Sequence, residues 1–524
     1  MNALHVLAVL LIATFSVTAA DYDFVLRHGR IVDGSGKPAR AGDVAIKDGR
    51  IAAVGKVAGA GAAELDARGK VVAPGFIDVH THSEDILKHR DAENFLRMGV
   101  TTVVTGNCGG SRTDIASFFE ELEATNVTLN VASLIGHNSI LTKVMGGSFD
   151  RPPTTGELAK MRAMVEQAMR DGAVGFSTGL IYLPGTFAKT DEIIALAKVA
   201  AAHDGIYASH IRHETERIFE ALDEFFCIAR EASIRAELSH IKLAGPAAWG
   251  KAGAVLAALD KARAEGLEIT HDQYVYTASS TGLSRLVPDK AREGGSKKFI
   301  ERINDPEQKR RIVAKMKETL KRSQRSDYSY VFIASCRHDK PLGGKTVPQA
   351  AKLRRGSDSL DDQIELVLDI ERHGGATAIY HGMNEDDVRR FLRHPMTMVA
   401  SDGGPRAPSE DLTHPRSCGN NARVLARYVR ELKLLSLEEA VRKMTSLPAR
   451  TFRLSGRGEL KPGCAADVVV FDPVQVADRA TFEKTRAYAT GFSDVFVNGV
   501  AVLRDGSLTG ARPGRPVRLA PAMR

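Results

Sequence analysis

The sequence predicts an α/β fold, namely a (β/α)8 TIM-like barrel with a small β-sheet domain built from both chain ends. Two observations lead to this prediction. The middle of the chain, residues 75–454, alternates short apolar runs with helical patterns, and repeated β–α units form a parallel sheet. The flanking segments, residues 21–74 and 455–524, instead contain short strands separated by turn pairs such as Asp48-Gly49. Because both ends share this pattern, we expect them to assemble into one β-domain.

Length and composition are those of a globular protein. The chain has 524 residues, of which 43% are hydrophobic and 26% charged. These values allow a large core and argue against disorder or a fibrous repeat. The five cysteines are too few and too scattered for a disulfide framework.

The first 20 residues differ from the rest. Residues 4–17 are an apolar stretch, and small residues follow it up to Ala20. This pattern is typical of a secretory signal peptide, although no Lys or Arg precedes the stretch. We therefore expect residues 1–20 to be removed and the mature protein to be exported, into a periplasm. No apolar run reaches the ~18 residues that a membrane-spanning helix needs.

Eight barrel strands are predicted in order along the middle of the chain. They are residues 75–80, 101–105, 129–134, 174–177, 206–210, 236–240, 268–272 and 397–402. Helical patterns lie between them, for example at residues 157–170 and 191–203. A long, basic segment at about residues 286–349 follows the seventh strand, and we expect an insertion that forms a lid or small subdomain. Two further runs also look like strands and are additional to the eight predicted barrel strands, namely residues 330–335 and 376–381.

The charge balance shows a modest basic excess. The chain has 72 Lys and Arg against 64 Asp and Glu, a net charge of +8, and part of the excess lies in residues 297–325. Such a stretch is usually a solvated helix face. Aromatic residues make up only 6%, with one Trp, so a stacking platform for single-stranded nucleic acid is not expected. We therefore expect no nucleic-acid partner.

His80 and His82 end the first predicted barrel strand. Strand side chains alternate, so imidazoles two residues apart face the same way. At the carboxyl end of a barrel strand they lie where the active sites of such barrels are found. A histidine pair alone is often a surface feature, so its interpretation depends on the neighbouring strand ends.

Four more strand ends carry residues of metal-binding type. Cys108 follows the second strand, His210 and His240 end the fifth and sixth, and Asp402 ends the eighth. Taken singly, a buried cysteine is usually a small apolar residue, and an aspartate before two glycines often serves a turn. Imidazole, thiolate and carboxylate groups at five strand ends together predict a zinc site.

At this point the sequence resembles a known family. The motifs are residues 73–82 (APGFIDVHTH), 99–109 (GVTTVVTGNCG), 208–212 (ASHIR), 239–242 (SHIK) and 414–416 (HPR). The first is similar to the amidohydrolase superfamily, and the second and last resemble its D-aminoacylase (N-acyl-D-amino-acid deacylase) family. The resemblance extends over about residues 22–510.

The resemblance implies a zinc-dependent hydrolase of linear amides, in which the barrel is accompanied by a small β-sandwich built from both chain ends. Cys108, His210 and His240 match the ligands of a tightly held zinc, whereas His80 and His82 match a second, weaker site that shares the cysteine sulfur. Asp402 matches the catalytic acid/base. Zinc would lower the pKa of a bound water toward ~7, so that metal-bound hydroxide attacks the amide while Asp402 accepts the proton and then delivers it to the leaving amine.

The implied substrate is a small N-acyl-D-amino acid, or a dipeptide or peptide with a C-terminal D-residue. Its carboxylate calls for a bidentate arginine, and Arg416 of the HPR motif is the first candidate by resemblance. Tyr182 and Tyr276, in loops after strands, are supporting candidates, although such tyrosines often belong to the core. Lys242, two residues after His240, points the same way as that histidine and is a further candidate.

Other functions stay open at this stage. Cyclic amidases of the superfamily, dihydroorotase-like or hydantoinase-like, usually carry a carboxylated lysine on the fourth strand, and residues 173–179 (AVGFSTG) contain no lysine. An isoaspartyl-type dipeptidase is a second alternative. A barrel that has lost catalysis and serves in binding is a third, and the complete ligand set argues against it.

Overall fold

The computed structural model describes residues 20–147, 149–406 and 412–520. The predicted signal peptide, residues 1–20, therefore lies outside the described residues except for Ala20. Among the described helices, none has both the length and the apolar character that crossing a membrane requires. The described strands form a nine-stranded sheet, an eight-stranded barrel sheet and a four-stranded sheet.

Residues 22–74 form the first part of the nine-stranded sheet. Its strands are β1 (Tyr22–Ile31), β2 (Arg40–Lys47), β3 (Arg50–Gly55), β4 (Gly61–Asp66) and β5 (Val71–Pro74). The hairpin between β2 and β3 turns at Asp48 and Gly49, whose φ angles of 50° and 72° are the positive values that a type I′ turn requires. β4 and β5 both run parallel to β1.

The barrel begins directly after β5. Its first seven strands are β6 (Phe76–Asp78), β7 (Val100–Thr105), β8 (Asn130–Gly136), β9 (Gly175–Gly179), β10 (Ile206–His210), β11 (Arg235–Leu238) and β12 (Ile269–Gln273). They lie parallel and in chain order. Nearly every residue in them is buried, as expected for a parallel sheet that is covered on both faces.

Helices cover the outside of the barrel. The first seven are α1 (Glu93–Leu96), α2 (Ile115–Thr125), α3 (His137–Met145), α4 (Thr155–Arg170), α5 (Thr190–Ala202), α6 (Ile218–Glu231) and α7 (Ala252–Ala264). Helix α4 illustrates why these segments form helices. Thr154 and Glu157 form a capping box at its start. Met161 and Val165, four residues apart, are buried on its inner face.

A subdomain is inserted between the seventh and eighth barrel strands. Its antiparallel sheet contains β13 (Ala278–Gly282), β14 (Val331–Ser335), β15 (Lys345–Thr346) and β16 (Thr377–His381), and its helices are α8 (Asp289–Arg292), α9 (Gly295–Asn304), α10 (Pro306–Arg322), α11 (Val347–Arg355) and α12 (Leu360–Arg372). The extra strand-like runs are β14 and β16. The insertion expected at about residues 286–349 lies within a longer segment, 278–381, because β13 pairs with β16.

The basic stretch of the insertion lies mainly on α10. Lys309 lies 2.7 Å from Glu365, and Lys315 lies 2.9 Å from Glu318. The opposite face of the helix buries Ile312, Met316 and Leu320. The stretch is therefore an amphipathic helix whose charged face lies in solvent among acidic partners.

The eighth barrel strand, β17 (Thr397–Val399), follows α13 (Glu385–Arg393) and pairs with β12. Just beyond it, the amide of Asp402 donates to the carbonyl of His80 at 2.9 Å, and the amide of His82 donates to the carbonyl of Gly403 at 2.7 Å. These bonds close the barrel between its first and last strands. The predicted eight-stranded parallel barrel is confirmed.

The chain then returns to the terminal sheet. It passes through α14 (Arg416–Arg423), a π-helical segment (Val424–Glu431), α15 (Leu437–Met444) and α16 (Ser446–Thr451) to β18 (Val468–Phe471), β19 (Phe492–Val497), β20 (Val500–Arg504) and β21 (Ser507–Leu508). Strand β18 pairs with β5, so both chain ends share one sheet, as predicted. Short 3-10 turns occur at Ile86–Lys88, Gly185–Phe187, Leu283–Leu286 and Lys340–Leu342.

Candidate active site

The predicted metal-binding residues meet at the carboxyl end of the barrel. The sulfur of Cys108 lies 3.4 Å from Nε2 of His80, 3.6 Å from Nδ1 of His210 and 3.4 Å from Nε2 of His240. Nε2 of His82 lies 3.2 Å from Oδ1 of Asp402. Residues that are up to 322 positions apart in the sequence thus converge because each stands at the end of a neighbouring barrel strand.

Three overlapping groups of side chains could each hold an ion. Within each group the ligand atoms lie within 4.8 Å of one another. The groups are His80, His82 and Cys108; Cys108, His210 and His240; and His80, His240 and Asp402.

The spacing in the second group suits a tetrahedral metal. With a metal–nitrogen distance of about 2.1 Å and a metal–sulfur distance of about 2.3 Å, tetrahedral geometry separates nitrogen and sulfur by about 3.6 Å. The observed separations from the sulfur to His210 and His240 are 3.6 and 3.4 Å. These residues therefore fit a metal ion.

The outer nitrogens of the three buried imidazoles also face carboxylates. Nδ1 of His80 lies 3.1 Å from Asp272, and Nε2 of His210 lies 3.5 Å from Glu214. Nδ1 of His240 lies 3.3 Å from Glu214 and 2.7 Å from Nζ of Lys242, which itself contacts Glu214. In metal sites such carboxylates fix the ring orientation and make the inner nitrogen a stronger ligand. Each ring here has one nitrogen toward the sulfur and the other toward an acid.

The electrostatic surroundings of Cys108 also indicate that the site binds a metal ion. Burial, together with the nearby Asp402 carboxylate, raises the pKa of the Cys108 thiol well above its usual range. A thiolate at this position therefore requires a bound cation, and thiolate is the form that ligates metals.

The backbone at the site is strained. Cys108, His240 and Asp402 have φ angles of 52°, 37° and 50°, in the left-handed region that non-glycine residues seldom adopt. Each such residue costs on the order of 1 kcal/mol. Strain of this kind persists where the surrounding fold fixes it, and here it aims side chains at a common centre.

Asp402 is buried between Arg416 and His82. Its Oδ2 lies 2.9 Å from Arg416, and its Oδ1 faces His82. Burial opposes ionisation, but the Arg416 charge and the His82 hydrogen bond hold the pKa of Asp402 well below its usual range. The carboxylate is therefore ionised at neutral pH and able to accept a proton.

Three of the four predicted substrate-binding residues border the metal centre. Arg416 stacks on the ring of Tyr274 at 4.5 Å, and Lys242 approaches the same ring at 5.7 Å. Lys242 also lies 2.5 Å from Glu214. The ring of Tyr182 packs edge-on against His210 at 4.8 Å.

Tyr276, the fourth candidate, lies elsewhere. Its ring packs on His414 at 5.2 Å and under Arg423 at 4.9 Å, and it lines neither of the two cavities at the barrel mouth. Tyr274 takes the position at the site instead, with a buried hydroxyl that has no hydrogen-bond partner among the described residues. The chain leaves the strand at Gln273, so the alternation that strands follow gives no guidance beyond it.

Sequence reasoning also missed the two acids behind the ligands. Asp272 lies one residue before the carboxyl end of barrel strand β12, and this position near a strand end could have identified it from the sequence. Glu214 follows His210 by four residues in a loop, where no periodic pattern would single it out.

Two cavities open at the barrel mouth. The inner cavity, of about 250 Å³, includes His210, His240 and Lys242 in its wall. The open cleft, of about 910 Å³, includes His82, Cys108 and Arg416. They meet at a shared wall formed by Tyr182, Ser280, Thr281 and Asp402. The metal centre therefore lies where two separate spaces join.

Comparisons with known proteins agree with this geometry. A model of the amidohydrolase family matches residues 63–503. The chain is 38% identical over 520 residues to the N-acyl-D-glutamate deacylase of Alcaligenes xylosoxydans xylosoxydans, covering 95% of this chain and 96% of the relative. It is 36% identical over 519 residues to the D-aminoacylase of the same organism, covering 94% and 97%.

A solved structure is similar over the same length. It is the N-acyl-D-glutamate deacylase from Bordetella bronchiseptica, complexed with zinc and a phosphonate inhibitor that mimics the tetrahedral intermediate. The TM-score is 0.81 at 36% identity, with 95% of this chain and 99% of that chain covered. The chain is therefore a metal-dependent hydrolase that belongs to the amidohydrolase family, in its D-aminoacylase branch.

Proposed function

We propose that this protein hydrolyses the amide bond of N-acyl-D-amino acids, or of peptides that end in a D-residue, and releases the free D-amino acid. One observation carries the proposal: Cys108, His210 and His240 converge on one centre beside Asp402, with Arg416 2.9 Å from that carboxylate. A metal site, a proton acceptor and a carboxylate-binding group are the parts that cleavage of an acylated amino acid needs. The similarity to deacylases supports the same substrate class.

The proposed metal is zinc, held tightly by Cys108, His210 and His240. A thiolate with two imidazoles is a ligand set that zinc favours, and the related Bordetella structure contains zinc. A second, weaker site at His80 and His82 would share the cysteine sulfur. His82 is 43% exposed, whereas His80 is buried, and an exposed ligand on a shared sulfur supports the lower affinity.

The metal, when bound, polarises the amide carbonyl and makes water a better nucleophile at neutral pH. Asp402 accepts the proton of the attacking water because Arg416 and His82 keep it ionised. The same carboxylate then donates this proton to the leaving nitrogen, which would otherwise depart as an unstable anion.

Other side chains orient the substrate. Arg416 binds its carboxylate, since a guanidinium can donate to that group while it remains in contact with Asp402. The hydroxyls of Tyr182 and Tyr274 stay protonated because burial raises the pKa of both phenols. They are therefore hydrogen-bond donors to the carbonyl oxygen or the carboxylate.

A cyclic amidase is the alternative to be tested. In that class a carboxylated lysine on the fourth strand bridges two metals. The corresponding strand here, β9, contains no lysine, and its Ser177 is buried. Cys108 is the anionic group available for a bridge, and the missing lysine argues against a cyclic amidase.

The experiment is a substrate panel with the purified, metal-analysed protein. It compares matched N-acetyl-D- and N-acetyl-L-amino acids, L-Xaa-D-Xaa dipeptides, isoaspartyl dipeptides, hydantoin and dihydroorotate, each with and without a chelator. We expect release of the D-amino acid, loss of activity with the chelator and recovery on addition of zinc. Ring opening of hydantoin or dihydroorotate without deacylation would overturn the proposal.

A further inference from the structure

A third, smaller cavity lies where both chain ends meet the barrel. Its volume is about 150 Å³, and its wall contains three arginines, Arg50, Arg457 and Arg515. They come from three separate segments, namely the start of β3, the loop between α16 and β18, and the tail that follows β21. We call this cavity the arginine pocket.

The arginine pocket lies at the end of the barrel opposite the metal centre. The amide of Arg515 donates to Oδ1 of Asn130 at 3.2 Å, and the amide of Val131 donates to the carbonyl of Arg515 at 3.0 Å. Asn130 and Val131 are the first two residues of β8, whereas ligands such as His210 stand at the carboxyl ends of their strands. A molecule bound in the pocket would therefore not compete with the substrate.

Two hairpin turns form part of the pocket wall. The turn between β2 and β3 contributes Asp48 and Gly49, and the turn between β19 and β20 contributes Asn498. They pack so closely that a Cβ atom on Gly49 would lie 2.9 Å from the carbonyl oxygen of Asn498. Asn498 also donates from Nδ2 to Asn130 and to the carbonyl of Pro513, both at 2.8 Å. These contacts fix the wall in place, so little ordering is needed when a ligand binds.

Two of the three arginines have donors to spare. Arg457 is occupied, since it contacts the carboxylate of Asp467. Arg50 uses only Nη1, which donates to the carbonyl of Gly463 at 2.8 Å. The guanidinium of Arg515 has no hydrogen-bond or ion-pair partner among the described residues. The pocket thus holds several charged N–H groups that are free to bind an anion.

The charge balance of the wall also favours an anion. Asp48 is the acidic residue in the wall; it is exposed, and no basic side chain of the described part of the chain lies within 4.0 Å of its carboxylate. The unpaired groups are therefore the cations of Arg50 and Arg515 against the single charge of Asp48. Two guanidinium groups that share a small cavity repel each other, and an anion between them would replace this repulsion with attraction.

We propose that the arginine pocket binds a tetrahedral oxyanion, namely phosphate or the phosphate group of a small phosphate monoester. A guanidinium presents a planar fork that matches two oxygens of such a group, and Arg50 and Arg515 supply two forks. A volume of about 150 Å³ is smaller than the ~300–1,000 Å³ of pockets for larger organic ligands. The bound anion would connect the C-terminal tail, through Arg515, to the terminal sheet, through Arg50.

Calorimetric titration of the metal-loaded protein with inorganic phosphate tests this proposal. We expect a Kd below about 1 mM for the wild type, and binding at least tenfold weaker in Arg515→Gln, since a hydrogen bond between charged groups contributes about tenfold or more to affinity. Arg68→Gln is the matched control, because Arg68 is an exposed arginine between β4 and β5 that lines none of the three cavities. It should bind phosphate as the wild type does. Phosphate bound at the metal centre would contribute equally to all three proteins.

Asp48→Asn should change the affinity in the opposite direction. Asparagine tolerates the positive φ of this turn position, and the substitution removes the negative charge from the wall. We expect phosphate to bind about threefold more tightly, as is usual for the loss of one exposed like charge. A variant that merely disturbed the turn would bind phosphate less tightly, so the sign of the change separates the two explanations.

A comparison of anions identifies the source of the phosphate group. Tighter binding of glycerol 1-phosphate than of inorganic phosphate would indicate a phosphorylated small molecule, and the reverse order would indicate the free ion. Acetate, with two oxygens and one charge, should bind at least tenfold more weakly than either. Saturating phosphate should raise the melting temperature of the wild type and leave that of Arg515→Gln nearly unchanged.

Four results would overturn the proposal. They are a wild-type Kd above about 1 mM, equal phosphate affinity in Arg515→Gln and the wild type, weaker binding in Asp48→Asn, and acetate binding as tight as that of phosphate. None of these measurements depends on the substrate of the enzyme, so their failure would leave the proposed function intact.

Discussion

At the residue scale, the contacts of Asp402 show how a single side chain acquires its role. The residue has a positive φ, its amide is bonded to the carbonyl of His80, and its carboxylate lies between His82 and Arg416. The backbone bond closes the barrel, and the side chain serves the chemistry. Asp402 therefore contributes both to the closure of the barrel and to the active site. Substitutions that keep the shape of its side chain are the ones that test its chemical role.

Asp402→Asn should retain the metal and lose activity. The amide has nearly the same shape as the carboxylate but accepts no proton, so we expect kcat/KM to fall about 10²- to 10⁴-fold. Cys108, His210 and His240 remain to bind the metal, and metal analysis of the variant should match the wild type. A variant with more than a tenth of wild-type activity would contradict the assigned role.

Arg416→Gln should weaken substrate binding strongly. The loss of the charge-assisted bidentate contact should raise KM, and the loss of the charge that keeps Asp402 ionised should lower kcat, so kcat/KM should fall about a hundredfold. Arg416→Lys should recover only part of this, because an ammonium cannot form the paired contact. Arg423→Lys is the matched control, since Arg423 is partly buried beside Tyr276 and lines neither cavity. An unchanged KM in Arg416→Gln would assign the carboxylate to another residue.

At the element scale, the eighth barrel strand depends on the helix that packs behind it. Lys443 of α15 is fully buried and donates to the carbonyls of His394 and Thr397, which flank the start of β17. Glu439, one turn earlier, lies 3.5 Å from it. Burial lowers the pKa of Lys443 to about 8, so this attachment is sensitive to pH.

The unfolding free energy should therefore rise with pH above about 8. An unfolded chain keeps the lysine proton up to about 10.5, so between these values it binds more protons than the folded chain. From pH 7 to pH 9.5 we expect the wild type to gain on the order of 1–2 kcal/mol relative to Lys443→Met. Urea titrations of both proteins at the two pH values measure the difference. An equal change in the unfolding free energy of the two proteins between these pH values would show that Lys443 has an ordinary pKa.

The N-terminal segment provides a second element-scale prediction. Strand β1 begins at Tyr22, directly after the predicted signal peptide. We propose that the segment is removed after Ala20 on export, and that the mature protein begins at Asp21. Intact-mass measurement of the protein from a periplasmic fraction would show this mass. A full-length mass there, or protein found only in the cytosol, would disprove it.

At the scale of the whole molecule, the metal centre depends on the barrel and on the insertion beside its mouth. The terminal sheet is connected to the barrel at its first strand, since β5 leads through Gly75 into β6. The barrel supplies the ligands, and the insertion supplies part of the wall of the inner cavity. The metal centre joins five strand ends, so occupancy of that centre should affect the stability of the entire barrel.

Metal removal should therefore lower the melting temperature. A ligand that binds only the folded state stabilises it, by about 4 kcal/mol when present at a thousand times its Kd. Dialysis against a chelator should lower the melting temperature by several degrees, and zinc should restore it. Cys108→Ser, which lacks the thiolate, should show little response to either treatment. A wild type that melts identically with and without metal would argue against a tightly held ion.

Local sequence pattern is sufficient to predict the barrel and most of its metal centre. Strand periodicity places His80, His210 and His240 at strand ends, and in a parallel barrel all strand ends face one mouth. Those positions follow from local pattern plus topology, so no tertiary detail was required. The resemblance of the motifs then supplied the roles of the residues.

The groups that surround these residues depend on how the whole chain folds. Tyr274 rather than Tyr276 borders the site because the chain turns after β12, where strand alternation ends. Glu214 stands behind two imidazoles because a loop folds back, and α10 reaches the cavity because β13 and β16 pair across a hundred residues of insertion. Loop paths and long-range pairing depend on packing against distant parts of the chain, and local sequence pattern carries little information about them.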